Sequence, residues 1–190
     1  MKRLIVLGST GSIGRSSLDV IGSNPAAFCA VGLAAGRSAE AVIGQIDRFK
    51  PEAVSLRDAD AAAEVRRHAG GRVRVYEGPE GLLDMVRSLD ADAAVNGLVG
   101  SAGMMPTVAA LESGKDVLLA NKETMVMAGR LVMETARRTG RRIVPIDSEM
   151  SAIYQCLKGE RHDAVLRLVL TASGGPFVDW PAEKLAGVTL

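Results

Sequence analysis

A chain of 190 residues has room for one compact domain, or for one domain and part of a second. Its residues are 47% hydrophobic but only 3% aromatic, so the core must be built from Ala, Val, Leu, Ile and Met. A formal net charge of +1 gives no electrostatic reason to expect a nucleic acid or an anionic membrane as partner.

The chain opens "MKRLIVLG". Its apolar run is shorter than a secretory signal and breaks at Gly8, so residues 4–7 read as a strand. A helix pattern follows over 12–22, then a strand over 28–35. Ala39, Val42, Ile43, Ile46 and Phe49 recur at helical spacing, and Lys50-Pro51 ends that helix. Further strands are predicted at 53–56, 73–76, 93–99, 117–120, 143–146 and 165–171. The longest helix is predicted over 123–139, with Ala128, Leu131, Val132 and Ala136 on one face. No stretch reaches the ~20 apolar residues of a membrane span. Cys29 and Cys156 sit among apolar neighbours and read as reduced core thiols of a cytoplasmic protein.

Several of these strands are apolar without alternation, which implies burial on both faces of a parallel sheet. Alternation of strands with helices makes the fold class α/β, a doubly wound, mostly parallel, Rossmann-like sheet. Residues 1–146 are expected to form this dinucleotide-binding domain, and 147–190 to begin a second one. Ligands of such sheets bind at the carboxyl ends of the strands, and the unusual chemistry of this chain falls in the loops that follow them.

"LGSTGSIG" places Gly8, Gly11 and Gly14 between a strand and a helix. That spacing lets backbone N–H groups approach a pyrophosphate at a helix N-terminus. The next strand ends in Gly36-Arg37-Ser38 with no acid, which suits the 2′-phosphate of NADP better than the bare ribose of NAD. The small residues of "NGLVGSAGMMPT" either let a flat ring lie close or merely start a helix. Asn121-Lys122-Glu123 offers an amide, an ammonium and a carboxylate at a strand end, and by itself is equally a solvated turn. Asp147 and Glu149 flank Ser148. As hard oxygen donors they suit Mg²⁺ or Mn²⁺, whereas as an isolated motif Ser148 or Asp147 reads rather as the cap of a helix beginning near Met150. His68 and His162 lie in charged, exposed segments without metal spacing.

Taken together, "GSTGSIG", "AGRS", "LANKE", "DSE" followed by "SAI" and Gln155, and "SGGPF" resemble the 1-deoxy-D-xylulose 5-phosphate reductoisomerase family. The resemblance implies an NADPH-dependent oxidoreductase and isomerase of non-mevalonate isoprenoid biosynthesis. Such enzymes convert a sugar phosphate to 2-C-methyl-D-erythritol 4-phosphate with Mg²⁺ or Mn²⁺, as cytoplasmic homodimers. By the same resemblance Thr10, Gly11, Ser12 and Ile13 hold the pyrophosphate, and Gly36, Arg37 and Ser38 the adenosine phosphate. Asn121 and Glu123 touch NADPH; Lys122, Ser148, Glu149 and Ser173 meet substrate; Asp147 and Glu149 hold the metal. Lys122, Asp147 and Glu149 are the implied catalytic residues.

Three residues depart from the family pattern. Met150 stands where His is usual and cannot donate a hydrogen bond; Ser38 replaces Asn, and Ala172 replaces Gly. The family's third carboxylate ligand, phosphate-binding group, lid and helical domain would follow Leu190. The chain is therefore expected to be a truncated form that binds NADPH with little turnover alone. Two other readings remain open at this stage: another NADP-dependent reductase on the same sheet, and an NADP-sensing module with no cation.

Overall fold

The structure, a computed structural model of the chain, describes residues 1–170 and 177–189. It divides into two units, Met1–Asp147 and Ser148–Leu190.

The first unit alternates strand and helix from its second residue. β1 is Lys2–Leu7, α1 Ser12–Ser23, β2 Phe28–Ala35, α2 Ala39–Phe49, β3 Ala53–Leu56, α3 Ala59–Ala69 and β4 Arg74–Glu77. α4 is Gly78–Ser88, β5 Ala93–Asn96, α5 Met104–Glu112, β6 Asp116–Leu119, α6 Lys122–Thr139 and β7 Ile143–Pro145. The seven strands form one sheet in the order β4-β3-β2-β1-β5-β6-β7. Every neighbouring pair is parallel. The order reverses at β1, so the crevice between the ends of β1 and β5 is the topological switch point where such sheets take ligands.

The unbroken apolar runs are explained by two cores, one on each face. Leu4 and Val6 pack with Leu18, Ile21, Val42, Ile46 and Val65 of α1, α2 and α3. Ile5 and Leu7 pack on the opposite face with residues of α4, α5 and α6, among them Met85, Val86, Leu111 and Val132. Each fully buried Leu or Ile contributes roughly 1.5–3 kcal/mol by leaving water. Local signals end the helices: Lys50 is left-handed at φ 48° before Pro51, and Gly70 and Gly140 close α3 and α6 at φ 53° and 66°.

Three sequence expectations are corrected here. The strand expected over 93–99 stops at Asn96, whose Oδ1 accepts the Leu98 N–H at 3.1 Å and turns the chain. On α6, Val132 and Ala136 are buried as expected, but Leu131 is 51% exposed, and Thr124 and Thr135 are buried as well. The backbone of Ala128 leaves helical values (φ −140°, ψ 24°), a kink within α6. The third correction is in the second unit. Residues 165–170 carry no strand. Leu166, Leu168, Val169 and Leu170 are exposed, and strand propensity has no effect without a neighbouring strand to pair with.

The second unit contains α7 (Ser148–Leu157), a 3₁₀ turn (His162–Ala164) and α8 (Ala182–Leu185), none of which buries a residue. Cys156 is accordingly an exposed thiol rather than the core thiol expected, and Cys29 is only half-buried. Phe177 and Trp180 meet edge to face, with ring centroids 5.3 Å apart.

Candidate functional site

Because all strands of the first unit run the same way, the turns after β1, β2, β3, β5, β6 and β7 emerge on one rim. The glycine turn after β1 is tightly built. Gly8 has φ +80°, and a Cβ there would lie 2.7 Å from the Gly97 carbonyl oxygen after β5. Gly8 and Ser9 both donate N–H groups to the Ala34 carbonyl, at 2.9 and 2.8 Å. A Cβ on Gly14 would fall 2.2 Å from the Gly8 carbonyl oxygen, so α1 starts directly against the turn. Gly11 is the N-cap of α1, and no side chain caps the helix. The N-terminal amides, with Ser12 and Ile13 in the first turn, therefore sit where an anion is favoured by both hydrogen bonding and the helix dipole. Thr10 is half-buried beside them and Ser12 is exposed.

After β2, Gly36, Arg37 and Ser38 are all exposed. Ser38 takes the N-cap position of α2, but its hydroxyl makes no capping bond and is left for another partner. A cavity of about 650 Å³ opens alongside, lined among others by Gly36, Ser55, Arg57, Glu80, Leu98 and Met105. It runs from the ends of β2 and β3 to the small-residue loop after β5, and its size suits a nucleotide. Arg57, which follows β3, was not singled out from the sequence; a lone Arg in a loop carries no signal until the neighbouring strand end is placed beside it.

The loop after β5 is fixed by a buried polar bracket. Asn96 Nδ2 donates to the Gly103 carbonyl and to Thr107 Oγ1, both at 2.8 Å. Asn121 Nδ2 donates to the carbonyls of Leu98 (2.8 Å) and Gly100 (2.9 Å). Its Oδ1 accepts the Thr124 N–H at 2.9 Å and the Thr124 hydroxyl. Asn121 is 1% exposed, and both donors and both acceptor sites of its amide are used inside the protein. Gly103 is required for this packing, since a Cβ would stand 2.7 Å from Asn121 Cγ. Lys122 and Glu123 follow in the first turn of α6, both exposed on the rim.

Asp147 closes the first unit, just past β7 on the same carboxyl rim. The Ile146 N–H donates to the Leu119 carbonyl at 3.0 Å and keeps the chain paired to β6 up to that point. In the second unit Ser148 and Glu149 begin α7, and the Ser148 hydroxyl donates to Glu149 Oε2 at 3.3 Å. Met150 is exposed. Among the described residues no group of three or more His, Cys, Asp or Glu could enclose a metal ion. Carboxylate and hydroxyl oxygens are the donors that hard cations take, with substrate oxygens and water completing the shell. Ser173 and Ala172 lie outside the described residues.

Comparison with known proteins decides the family. The sequence profile of 1-deoxy-D-xylulose 5-phosphate reductoisomerase matches residues 4–129. That of the C-terminal domain of the same enzyme matches residues 143–190. The chain belongs to the 1-deoxy-D-xylulose 5-phosphate reductoisomerase family. The reductoisomerase of Chlorobium phaeobacteroides is 50% identical over the whole chain, which covers 50% of that protein. That of Geotalea uraniireducens is 45% identical over the same extent. The reductoisomerase of Zymomonas mobilis, solved in complex with NADPH, superposes with a TM-score of 0.87 at 34% identity, over 99% of this chain and 50% of that one. A reductoisomerase complex with NADPH, fosmidomycin and magnesium gives a TM-score of 0.85 at 35% identity, over 100% of this chain and 49% of that one. The chain thus spans about half the length of the curated relatives it matches.

Proposed function

We propose that this reductoisomerase-family chain serves the NADPH- and divalent-cation-dependent conversion of 1-deoxy-D-xylulose 5-phosphate to 2-C-methyl-D-erythritol 4-phosphate. The single observation that carries the reading is the rim itself. An uncapped helix N-terminus behind a glycine turn, a nucleotide-sized cavity, Lys122 and Asp147 all emerge at the carboxyl ends of one parallel sheet. The relatives solved with NADPH, fosmidomycin and magnesium support it.

In this reading Thr10, Gly11, Ser12 and Ile13 bind the pyrophosphate through backbone N–H groups and hydroxyls. Gly36 lets the adenosine approach, and Arg37 and Ser38 hold its 2′-phosphate. Asn121 shapes the cofactor groove through the loop it braces, and Glu123 meets the cofactor from the first turn of α6. When bound, NADPH supplies the hydride and the divalent cation supplies Lewis acidity toward the sugar's carbonyl and hydroxyl oxygens. Asp147 and Glu149 are the residues that would hold the cation. Lys122 places an ammonium against negative charge developing on the substrate, and Ser148 and Ser173 orient its hydroxyls. Met150 offers no proton and no hydrogen-bond donor where the family usually has His.

Two free cysteines, and no described helix long and apolar enough to cross a membrane, support the cytoplasmic setting we propose. A homodimer, formed through contacts outside much of this segment as the family resemblance implies, is to be read by sedimentation.

The discriminating experiment is Mn²⁺ binding followed by electron paramagnetic resonance, in the presence of NADPH and substrate. D147N is expected to weaken Mn²⁺ at least tenfold while leaving NADPH affinity in place. Unchanged Mn²⁺ affinity would reduce the carboxylates to helix caps and favour an NADP-sensing module.

A further inference from the structure

The cavity beside β2 contains a cation that the dinucleotide fingerprint does not include. Arg57 lines it together with Gly36, and Arg37 and Ser38 follow Gly36 on the β2–α2 turn. The two turns are fastened to each other. Arg57 donates its backbone N–H to the Ala35 carbonyl at 3.0 Å, and Asp58 donates to the Gly36 carbonyl at 3.1 Å. Guanidinium-bearing residues therefore flank Gly36, one from each turn.

The acids nearby are engaged elsewhere or unpaired with Arg57. Asp58 is engaged as the N-cap of α3, accepting the Ala61 N–H at 3.0 Å. Glu80, in the first turn of α4, lines the same cavity without pairing to Arg57. Among the described residues the Arg57 guanidinium has no ion-pair or hydrogen-bond partner. An exposed arginine that lines a nucleotide-sized cavity beside an acid-free strand end has the chemistry to take a phosphate dianion, which a guanidinium grips through two parallel N–H donors.

We infer that Arg57 is a second cation for the 2′-phosphate of NADP, so that discrimination against NAD is divided between Arg37 and Arg57. The inference rests on the cofactor reading above and adds a specificity-determining residue to it.

The test is fluorescence titration of the 190-residue chain with NADPH and, separately, NADH, for the unmodified protein, R37A, R57A, R57K and the double variant R37A/R57A. Arg57 is exposed, so its replacement leaves folding intact, as circular dichroism would verify. R57A is expected to weaken NADPH about tenfold and NADH less than about twofold. R57K should fall between R57A and the unmodified protein, and the double variant should bind the two cofactors alike. Equal weakening of both cofactors by R57A would make Arg57 an adenine-stacking residue and overturn the inference. So would an R57A titration identical to that of the unmodified protein, with R37A alone losing NADPH; the cofactor reading would survive that result. Failure of the unmodified protein to bind NADPH would remove both.

Discussion

Replacing Asn121 with Ala separates a bracing role from a contact role. The substitution deletes four hydrogen bonds: two donated to the Leu98 and Gly100 carbonyls, and two accepted from Thr124. One of the four, the Thr124 N–H bond, is the N-cap of α6, a loss of about 1 kcal/mol. The two carbonyls are half-buried and recover part of their hydration, so each costs about 0.5–1 kcal/mol. Thr124 is fully buried, and leaving its hydroxyl without this partner costs about 1–2 kcal/mol more. The sum is about 3–5 kcal/mol, at the upper end for a single substitution. Urea denaturation of N121A against the unmodified protein, followed by far-ultraviolet circular dichroism, measures it directly. NADPH affinity should fall as well, because the loop from Leu98 to Met105 lines the cavity and loses its brace. A stability loss under 1 kcal/mol with a large loss of NADPH affinity would refute the bracing argument and make Asn121 chiefly a cofactor contact.

Gly8→Ala forces a side chain into left-handed backbone and to within 2.7 Å of the Gly97 carbonyl oxygen. It should cost about 2–4 kcal/mol by thermal denaturation and abolish pyrophosphate binding; a Tm unchanged within a degree or two would contradict it. At the opposite edge of the sheet, Asp116 accepts the Arg142 backbone N–H and guanidinium, with contacts of 2.9, 2.9 and 2.6 Å. Burial pushes the Asp116 carboxyl up, but these hydrogen bonds and the charges of Arg142 and Arg141 outweigh it and hold it below the ordinary range. Its stabilisation is therefore complete above an unfolded-state pKa of about 3.9 and is lost as pH falls through the lower folded value. D116N should cost about 1–2 kcal/mol at neutral pH, and the gap to the unmodified protein should close below about pH 3–4. A gap that persists in acid would mean the pair is not what ties β7 to β6.

Much of the first unit was legible in the sequence because its strands are buried on both sides. β2 and β3 fall on the predicted residues, 28–35 and 53–56, since an uninterrupted apolar run has no other stable place than a covered parallel sheet. The glycine turn was legible for a related reason: only glycine tolerates the approach of Gly97 at φ +80°. What failed depended on partners distant in the chain. Val99 looks like strand but is 83% exposed, because the Asn96 side chain had already turned the backbone. The run 165–170 has strand composition and no partner strand among the described residues. Leu131 obeys the helical period yet is exposed, while Val132 and Ala136 of the same predicted face are buried. At the site, the Asn-Lys-Glu turn could be found from sequence, but not that Asn121 closes a bracket with Leu98 and Gly100, some twenty residues earlier. Arg57 was unreadable for the same reason, since its relevance depends on β3 lying beside β2.

The account depends on one rim holding both the nucleotide and the cation. Amide resonances of the isotopically labelled chain, followed first with NADPH and then with Mn²⁺, test that most directly. NADPH should shift the amides of Ser12, Ile13, Gly36 and the loop beginning at Leu98, and Mn²⁺ should then broaden those of Lys122, Asp147 and Glu149. Broadening centred instead on Asp84, Asp90 or Glu112, with Lys122 and Asp147 left sharp, would contradict the account.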